Sequence, residues 1–174
     1  MKKNFLLTES QIRMILNEEE KNDIIQSLIF SKPEDISFKM ADGTFGLPVS
    51  RRYMVLTPVI NGVEIPRGYV NLECEEYNVD DELFWQLHIR VGDEIQRLGI
   101  AEKLYTAFIL NGNKVVSLFR NRAATFYSDN NKNISSDSAI DGLWNKLSQN
   151  PKIQVYQLGD ENGNVIGVTG ELNE

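Results

Sequence analysis

One stretch of the sequence has the residue types of an anion-binding site. Residues 88–104 predict a strand, a short loop containing glycine and a helix that begins at about Leu98. Free loop amides and the positive end of a helix dipole together attract a phosphate. Gly99 keeps a side chain out of the ligand's path, Ala101 keeps the first helical turn slim, and Arg97 adds a positive charge. A plain connection between strand and helix is the alternative interpretation.

The candidates for acid–base chemistry lie on two neighbouring predicted strands. His88 and Arg90 alternate onto one face of the strand Phe84–Val91. Histidine is the side chain that most readily exchanges a proton near neutral pH, which suits His88 to general-base catalysis. Glu73 shares a face of the preceding strand with Glu75 and could accept a proton directly or through water. The alternatives are a hydrogen-bonded structural histidine and solvent-facing carboxylates.

The composition excludes several classes of function. Lys and Arg total 18 against 25 Asp and Glu, a net charge of −7, so we expect no nucleic-acid partner. One cysteine, Cys74, and one histidine argue against a disulfide within the chain and against a bound metal. No apolar run approaches the roughly 18 residues of a membrane span, and the one near the N-terminus stops at Thr8. We therefore expect a cytoplasmic protein with no membrane partner.

The first predicted element is helical and covers residues 9–30, as one bent helix or two. Its apolar residues form two stripes, Ile12-Ile15-Leu16 and Ile24-Ile25-Leu28-Ile29. The polar, mostly charged run 17–23 separates these stripes. We therefore predict an N-terminal helical segment over 1–30, of which 1–20 are separable from the fold, and a domain over 31–174.

The rest of the chain changes to strands and then alternates between strands and helices. The predicted strands are Ile36–Met40, Tyr53–Ile60, residues 68–74, Phe84–Val91, Val115–Phe119, Ile153–Leu158 and Val165–Val168. Asn61-Gly62 predicts a tight hairpin, and 78–82 a polar bend. The second helix ends near Asn111, and a third runs from Ser136 or Asp137 to just before Pro151. This order predicts a single α/β (α+β) domain, in which a mixed sheet is flanked by helices.

The glycine loop also resembles a family signature. Gln96-Arg97-Leu98-Gly99-Ile100-Ala101 is similar to the Gln/Arg-x-x-Gly-x-Gly/Ala motif of the GNAT superfamily of N-acetyltransferases. The preceding Val91–Ile95 looks like the family's strand end and loop, with Asp93 where proline is frequent. The order of elements from residue 36 onward also looks like the family's. The resemblance implies a GNAT-like fold with a mostly antiparallel sheet.

The resemblance further implies a pocket for the cosubstrate acetyl-CoA. Its pyrophosphate would lie over the amides of Arg97 to Ala101, and its pantetheine arm would bond to the backbone near Ile89 and Val91. The implied binding residues are Ile89, Val91, Gln96, Arg97, Leu98, Gly99, Ile100 and Ala101. In this superfamily the acetyl group passes directly to an amine, so Cys74 need not be a nucleophile and is expected in the core.

A tyrosine is implied as the proton donor of this transfer. Residues 120–127 look like a partial version of the family's Asn-x-x-Ala-x-x-Leu/Phe-Tyr segment. Tyr127 would then protonate the departing thiolate, with His88 and Glu73 as candidate bases. The alternative is a tyrosine that packs beside its loop.

Two functional hypotheses follow. The first is an acetyl-CoA-dependent N-acyltransferase that acts on a primary amine; the second is a catalytically reduced structural or interaction protein with the same fold. Residues 7–18 look like a short leader found in proteins of large tailed phages, with a well-capped first helix as the alternative. That likeness implies a phage-encoded protein of the host cytoplasm or the virion, with 1–20 docking onto a protein partner. The amine acceptor stays unidentified, and edge strands leave a homo-oligomer open.

Overall fold

Backbone hydrogen bonds join the strands of the protein into one sheet. The computed structural model describes residues 8–40, 53–118 and 135–174. The described helices are α1 Glu9–Phe30, α2 Ile100–Leu110 and α3 Ser135–Ser148. The described strands are β1 Ile36–Met40, β2 Tyr53–Ile60, β3 Val63–Glu64, β4 Val70–Val79, β5 Glu82–Val91, β6 Val115–Leu118, β7 Ile153–Gly159 and β8 Val165–Leu172. Single-turn 3-10 helices cover Pro33–Asp35 and Asp93–Ile95.

The sheet has the order β1-β2-β4-β5-β6-β8-β7, and β3 pairs with β2 alone. Its neighbours are antiparallel except for β5 and β6, which are parallel. The protein is therefore a single α+β domain with a mixed, mostly antiparallel sheet, which confirms the predicted fold class. The arrangement is consistent with a GNAT-like mixed fold.

The turns of the meander follow from residues that adopt a positive φ. Asn61 and Gly62 have φ angles of 51° and 80°, so the predicted tight hairpin is present. The predicted polar bend over 78–82 is wrong in extent, because Asp80 and Asp81 alone make the turn, with φ angles of 51° and 63°. Asp tolerates this left-handed region better than most residues. The strands on both sides are accordingly longer than predicted.

The main core lies between one face of the sheet and the described helices. Helix residues from α1, α2 and α3 share a single apolar cluster with Leu72, Cys74 and Leu87 of the central strands. Cys74 is fully buried, and burial raises its pKa to about 12, so the thiol belongs to the core as expected. A smaller cluster around Phe84 and Val116 lies on the opposite face. No helix within the described ranges is long and apolar enough to cross a membrane.

Helix α1 is one continuous element, and its C-terminal part joins this core. Ile24 and Leu28 are 7% and 0% exposed. The Lys103 ammonium of α2 donates to the carbonyl oxygens of Leu28 and Ile29, at 2.7 and 2.8 Å. These bonds satisfy carbonyls that the end of a helix leaves unpaired. The core thus includes residues of α1 that precede the predicted boundary at residue 30.

Docking of α1 can be tested within that helix. We expect Leu28→Ala to lower the free energy of unfolding by about 2–5 kcal/mol, because it removes fully buried apolar volume. Phe30→Ala is the matched control: Phe30 is 75% exposed, and we expect a change below about 0.5 kcal/mol. Denaturant unfolding measures both variants. Similar losses would contradict the docking of α1 against the sheet.

Candidate functional site

The site begins where the parallel ladder between β5 and β6 stops. Trp85↔Val115 is the one registered pair between β5 and the described part of β6, and the Trp85 amide donates to the Lys114 carbonyl at 2.8 Å. Strand β5 nevertheless continues for six residues, to Val91, fully paired with β4 on its other side. Among the described residues, the edge of β5 that faces β6 is therefore unpaired beyond Trp85.

Tyr105 of α2 lies at this opening. Its hydroxyl donates to the Leu87 carbonyl at 3.2 Å, two residues past the last pair on β5. The Ser117 hydroxyl, two residues past the last pair on β6, hydrogen-bonds the same phenol and opposes the rise of its pKa that burial causes. Tyr105 is 9% exposed. Where β5 and β6 stop pairing, the Tyr105 hydroxyl thus replaces interstrand hydrogen bonds with its own.

The loop after β5 is fixed at both ends by buried isoleucines. Ile95 and Ile100 are 1% and 2% exposed, while the four residues between them are exposed. The Gln96 side-chain amide donates to the Val91 carbonyl at 3.3 Å and to the Asp93 carboxylate at 3.0 Å, which closes the loop onto its own strand. The loop is therefore anchored, and its exposed part faces outward.

Two residues of the loop occupy the left-handed region. Arg97 has a φ of 63°, and Gly99, the N-cap of α2, has a φ of 73°. For a non-glycine residue such as Arg97, this conformation costs of the order of 1–2 kcal/mol. Among the described residues, no atom beyond the neighbouring chain lies within 4 Å of where a Cβ of Gly99 would be, so there is room for a ligand beside Gly99. Helix α2 begins at Ile100, two residues later than predicted, because Gly99 turns the chain into it.

A first cavity of about 830 Å³ lies over this loop. It is lined by β5, the loop, α2 and α3, including every predicted binding residue except Leu98. Its charged lining residues are the basic Arg90, Arg97 and Lys146 and the acidic Asp93 and Glu102. Their net charge is +1, whereas the net charge of the whole chain is −7. Lys146 and Glu102 pair with each other at 3.1 Å. The local balance therefore favours an anion.

A second cavity of about 580 Å³ shares Ile89, Arg90 and Ala101 with the first. Its remaining lining includes Glu73 and His88, the two predicted base candidates within the described residues. The structure thus places the predicted acid–base residues of β4 and β5 next to the predicted cofactor residues.

Glu73 is held as a carboxylate by its neighbours. A hydrogen bond from the Tyr53 hydroxyl, then one from the Asn71 amide at 3.0 Å, lower the pKa of Glu73, with smaller contributions from Arg90 and Arg67. Conversely, burial and the bond to Glu73 raise the pKa of Tyr53 to about 12. The pair therefore consists of a neutral phenol that donates to an ionised carboxylate.

His88 stands directly opposite Glu73 in the β4–β5 register. Its Nε2 lies 3.8 Å from a carboxylate oxygen of Glu75, and its side chain is 30% exposed. It is therefore partly open to the second cavity, with its ring beside the Glu75 carboxylate.

Several site residues could not be found from the sequence. Tyr53 reaches the site only through the β2–β4 register, and Lys146 only through the packing of α3. Tyr105 is not among the predicted site residues, because no local pattern places its hydroxyl beside the Leu87 carbonyl. The predicted proton donor, Tyr127, lies outside the described residues, as does the segment 120–127. Within the described ranges, no three His, Cys, Asp or Glu side chains group as metal ligands.

The chain matches no family model, no curated protein and no solved structure.

The role of Tyr105 at the strand opening can be measured. We expect Tyr105→Phe to lower the free energy of unfolding by about 1–3 kcal/mol, because the buried Leu87 and the half-buried Ser117 each lose a hydrogen-bond partner. Tyr156→Phe, on the edge strand β7, is the control, and we expect little change. Equal stability of the two variants in denaturant would contradict the bridging role.

The Tyr53–Glu73 bond can be tested by titration. We expect Tyr53→Phe to raise the pKa of Glu73, since it removes the strongest hydrogen bond to the carboxylate. Carboxyl ¹³C NMR titration reads this pKa directly. A carboxyl whose pKa is lowered by folding stabilises the protein above its unfolded pKa, and this contribution fades as the pH falls. The variant should therefore lose less stability on acidification than the wild type; an unchanged Glu73 titration would show that Tyr53 does not act on it.

Proposed function

We propose that the protein is an acetyl-CoA-dependent N-acyltransferase that moves an acetyl group to a primary amine. One observation carries the proposal. An anchored loop with an open helix N-terminus lies at the mouth of a gap between two parallel strands, and a second cavity with acid–base groups adjoins it. A long ligand with an anionic end and a neutral, amide-bearing arm fits such a site.

The anionic end of acetyl-CoA is proposed to bind at the loop. The exposed amides between Ile95 and Ile100, at the positive end of α2, suit a pyrophosphate. Within the described residues, Arg97 makes no hydrogen bond or ion pair, so its guanidinium is available to a phosphate oxygen. An arginine left unpaired beside open amides is expected of a phosphate site.

The pantetheine arm is proposed to lie along the open edge of β5. Successive residues of a strand direct their backbone groups to opposite sides, and Trp85 and Leu87 direct theirs toward β6. Ile89 and Val91, at the next alternate positions of β5, direct their backbone groups to the same side. The Val91 carbonyl already accepts from Gln96, so Ile89 offers the freer pair of groups. An amide-bearing chain can pair with such an edge as an added strand would.

The reaction is a direct transfer. The amine nitrogen attacks the thioester carbonyl, the new C–N bond replaces the C–S bond, and coenzyme A leaves as a thiolate that takes up a proton. In this proposal His88 or Glu73 accepts the proton that the attacking amine loses. Tyr127 is the proposed donor to the thiolate, on the basis of the sequence resemblance.

Calorimetric titration with acetyl-CoA tests the binding half of the proposal. We expect binding by the wild type and much weaker binding of acetyl-pantetheine, which lacks the nucleotide phosphates. Arg97→Gln should weaken acetyl-CoA binding by about 1–3 kcal/mol, the range for a charge-assisted hydrogen bond. Lys39→Gln removes an equal charge on the distant strand β1 and should have no effect.

A pair of glycines separates ligand obstruction from backbone strain. Gly99 and Gly163 have φ angles of 73° and 77°, and in the described part of the chain no atom beyond the sequence neighbours lies within 4 Å of either would-be Cβ. We expect Gly99→Leu and Gly163→Leu to destabilise the fold similarly, because both force a side chain into the left-handed region. Only Gly99→Leu should abolish acetyl-CoA binding.

The outcomes separate the hypotheses. No binding of acetyl-CoA by the wild type would contradict the proposed function. Binding without transfer to any amine in a broad panel would favour the catalytically reduced interaction protein. Binding with turnover supports the enzyme, and the loss of turnover in Tyr127→Phe, with binding intact, would support the proposed proton donor.

A further inference from the structure

The second cavity presents opposite charges on one wall. Glu73 and Arg90 both line it, and both side chains project from the same face of the β4–β5 pair. The register places Arg90 opposite Asn71, so Glu73, two residues along β4, is its diagonal neighbour. Diagonal positions lie about 7–8 Å apart in an antiparallel pair. The two side chains are therefore close enough for the Arg90 charge to act on the Glu73 carboxylate and for one small ligand to contact both.

The Arg90 side chain makes no hydrogen bond and no ion pair among the described residues, although its charge acts on the Glu73 carboxylate. Arg67, by contrast, bonds Asn71 and reaches Glu73 at 3.8 Å. The Arg90 guanidinium stands on the wall that the two cavities share, between the anion loop and the acid–base groups. A guanidinium that is left unpaired at a cavity wall suits a carboxylate of a ligand.

Glu73 supplies the complementary group. Its carboxylate is ionised, is fixed by Tyr53 and Asn71, and has a side chain that is only 26% exposed. A partly desolvated, immobilised carboxylate attracts an ammonium more strongly than a free surface carboxylate does. The rest of the cavity wall combines the apolar Leu87, Ile89 and Ala101 with Tyr53, His88 and Tyr105. The cavity thus offers an anionic, a cationic and an apolar contact.

We propose that the second cavity binds a free amino acid as the acetyl acceptor, with its ammonium at Glu73 and its carboxylate at Arg90. The assignment of this ligand as an acceptor rests on the proposed function, while its binding does not. A simple amine would satisfy only Glu73, and a phosphorylated or dicarboxylic ligand without an amine would satisfy only Arg90. The two charges together select a zwitterion.

The test is calorimetric titration of the wild type, without acetyl-CoA, against the twenty common amino acids. The tightest ligand is then compared with its decarboxylated amine, for example leucine with 3-methylbutylamine. We expect the amino acid to bind more tightly by about 10-fold to 100-fold, the value of one hydrogen-bonded ion contact. Absence of amino-acid binding, or equal affinity for the amine, would overturn the proposal.

Variants assign the two contacts. Arg90→Gln should lower the affinity for the amino acid by about 10-fold to 100-fold and leave the affinity for the amine unchanged. Glu73→Gln should lower both affinities. Lys39→Gln is the charge-matched control and should change neither. If Arg90→Gln instead weakens acetyl-CoA and spares the amino acid, Arg90 serves the nucleotide and the proposal fails.

Two further results keep this proposal separate from the proposed function. Amino-acid binding that depends on Arg90, without acetyl-CoA binding, would support the cavity assignment and remove the acyltransferase. Acetyl-CoA binding with transfer to decarboxylated amines as efficient as transfer to amino acids would support the acyltransferase and overturn this inference.

Discussion

The divergence of β5 from β6 is the constraint on which the rest of the site depends. A parallel ladder that continued past Trp85↔Val115 would consume the backbone groups of β5 up to Val91 and would close the gap between the strands. The ladder stops instead, and the Tyr105 phenol bridges the Leu87 carbonyl and Ser117 at the point of separation. Both cavities then open along the freed part of β5. The buried Tyr105 hydroxyl, with its two hydrogen bonds, stabilises the strands at this opening.

The loop after β5 is fixed at both ends and exposed between them. Ile95 and Ile100 fix the ends of the loop in the core, and Gln96 ties it back to the strand. The strained φ of Arg97 is tolerated because these anchors determine the chain path. Preorganised backbone donors lose little entropy when they bind a ligand. Folding of the domain has already ordered this loop, so binding does not have to.

The sequence predicts the bounds of helices and strands better than it predicts which residues of different elements come into contact. The bounds of β1 and β2 follow from alternating apolar residues and the Asn61-Gly62 turn. The turn at Asp80-Asp81 was predicted too long, since aspartate signals a bend but not that both residues adopt a positive φ. The hydrogen bond from Tyr53 to Glu73 and the position of Arg90 near that carboxylate depend on strand register and on distances across the sheet. Local patterns do not contain that information, so the loop was predictable and the second cavity was not.

The central claim is that acetyl-CoA binds along the open edge of β5 and over the loop that follows it. Backbone amide chemical shifts, recorded by NMR while acetyl-CoA is added, test this claim residue by residue. We expect the largest changes at Ile89 and from Arg97 to Ala101, and none in the β7–β8 turn around Gly163. Saturable shifts that cluster elsewhere, with those of Ile89 and the loop unchanged, would contradict it.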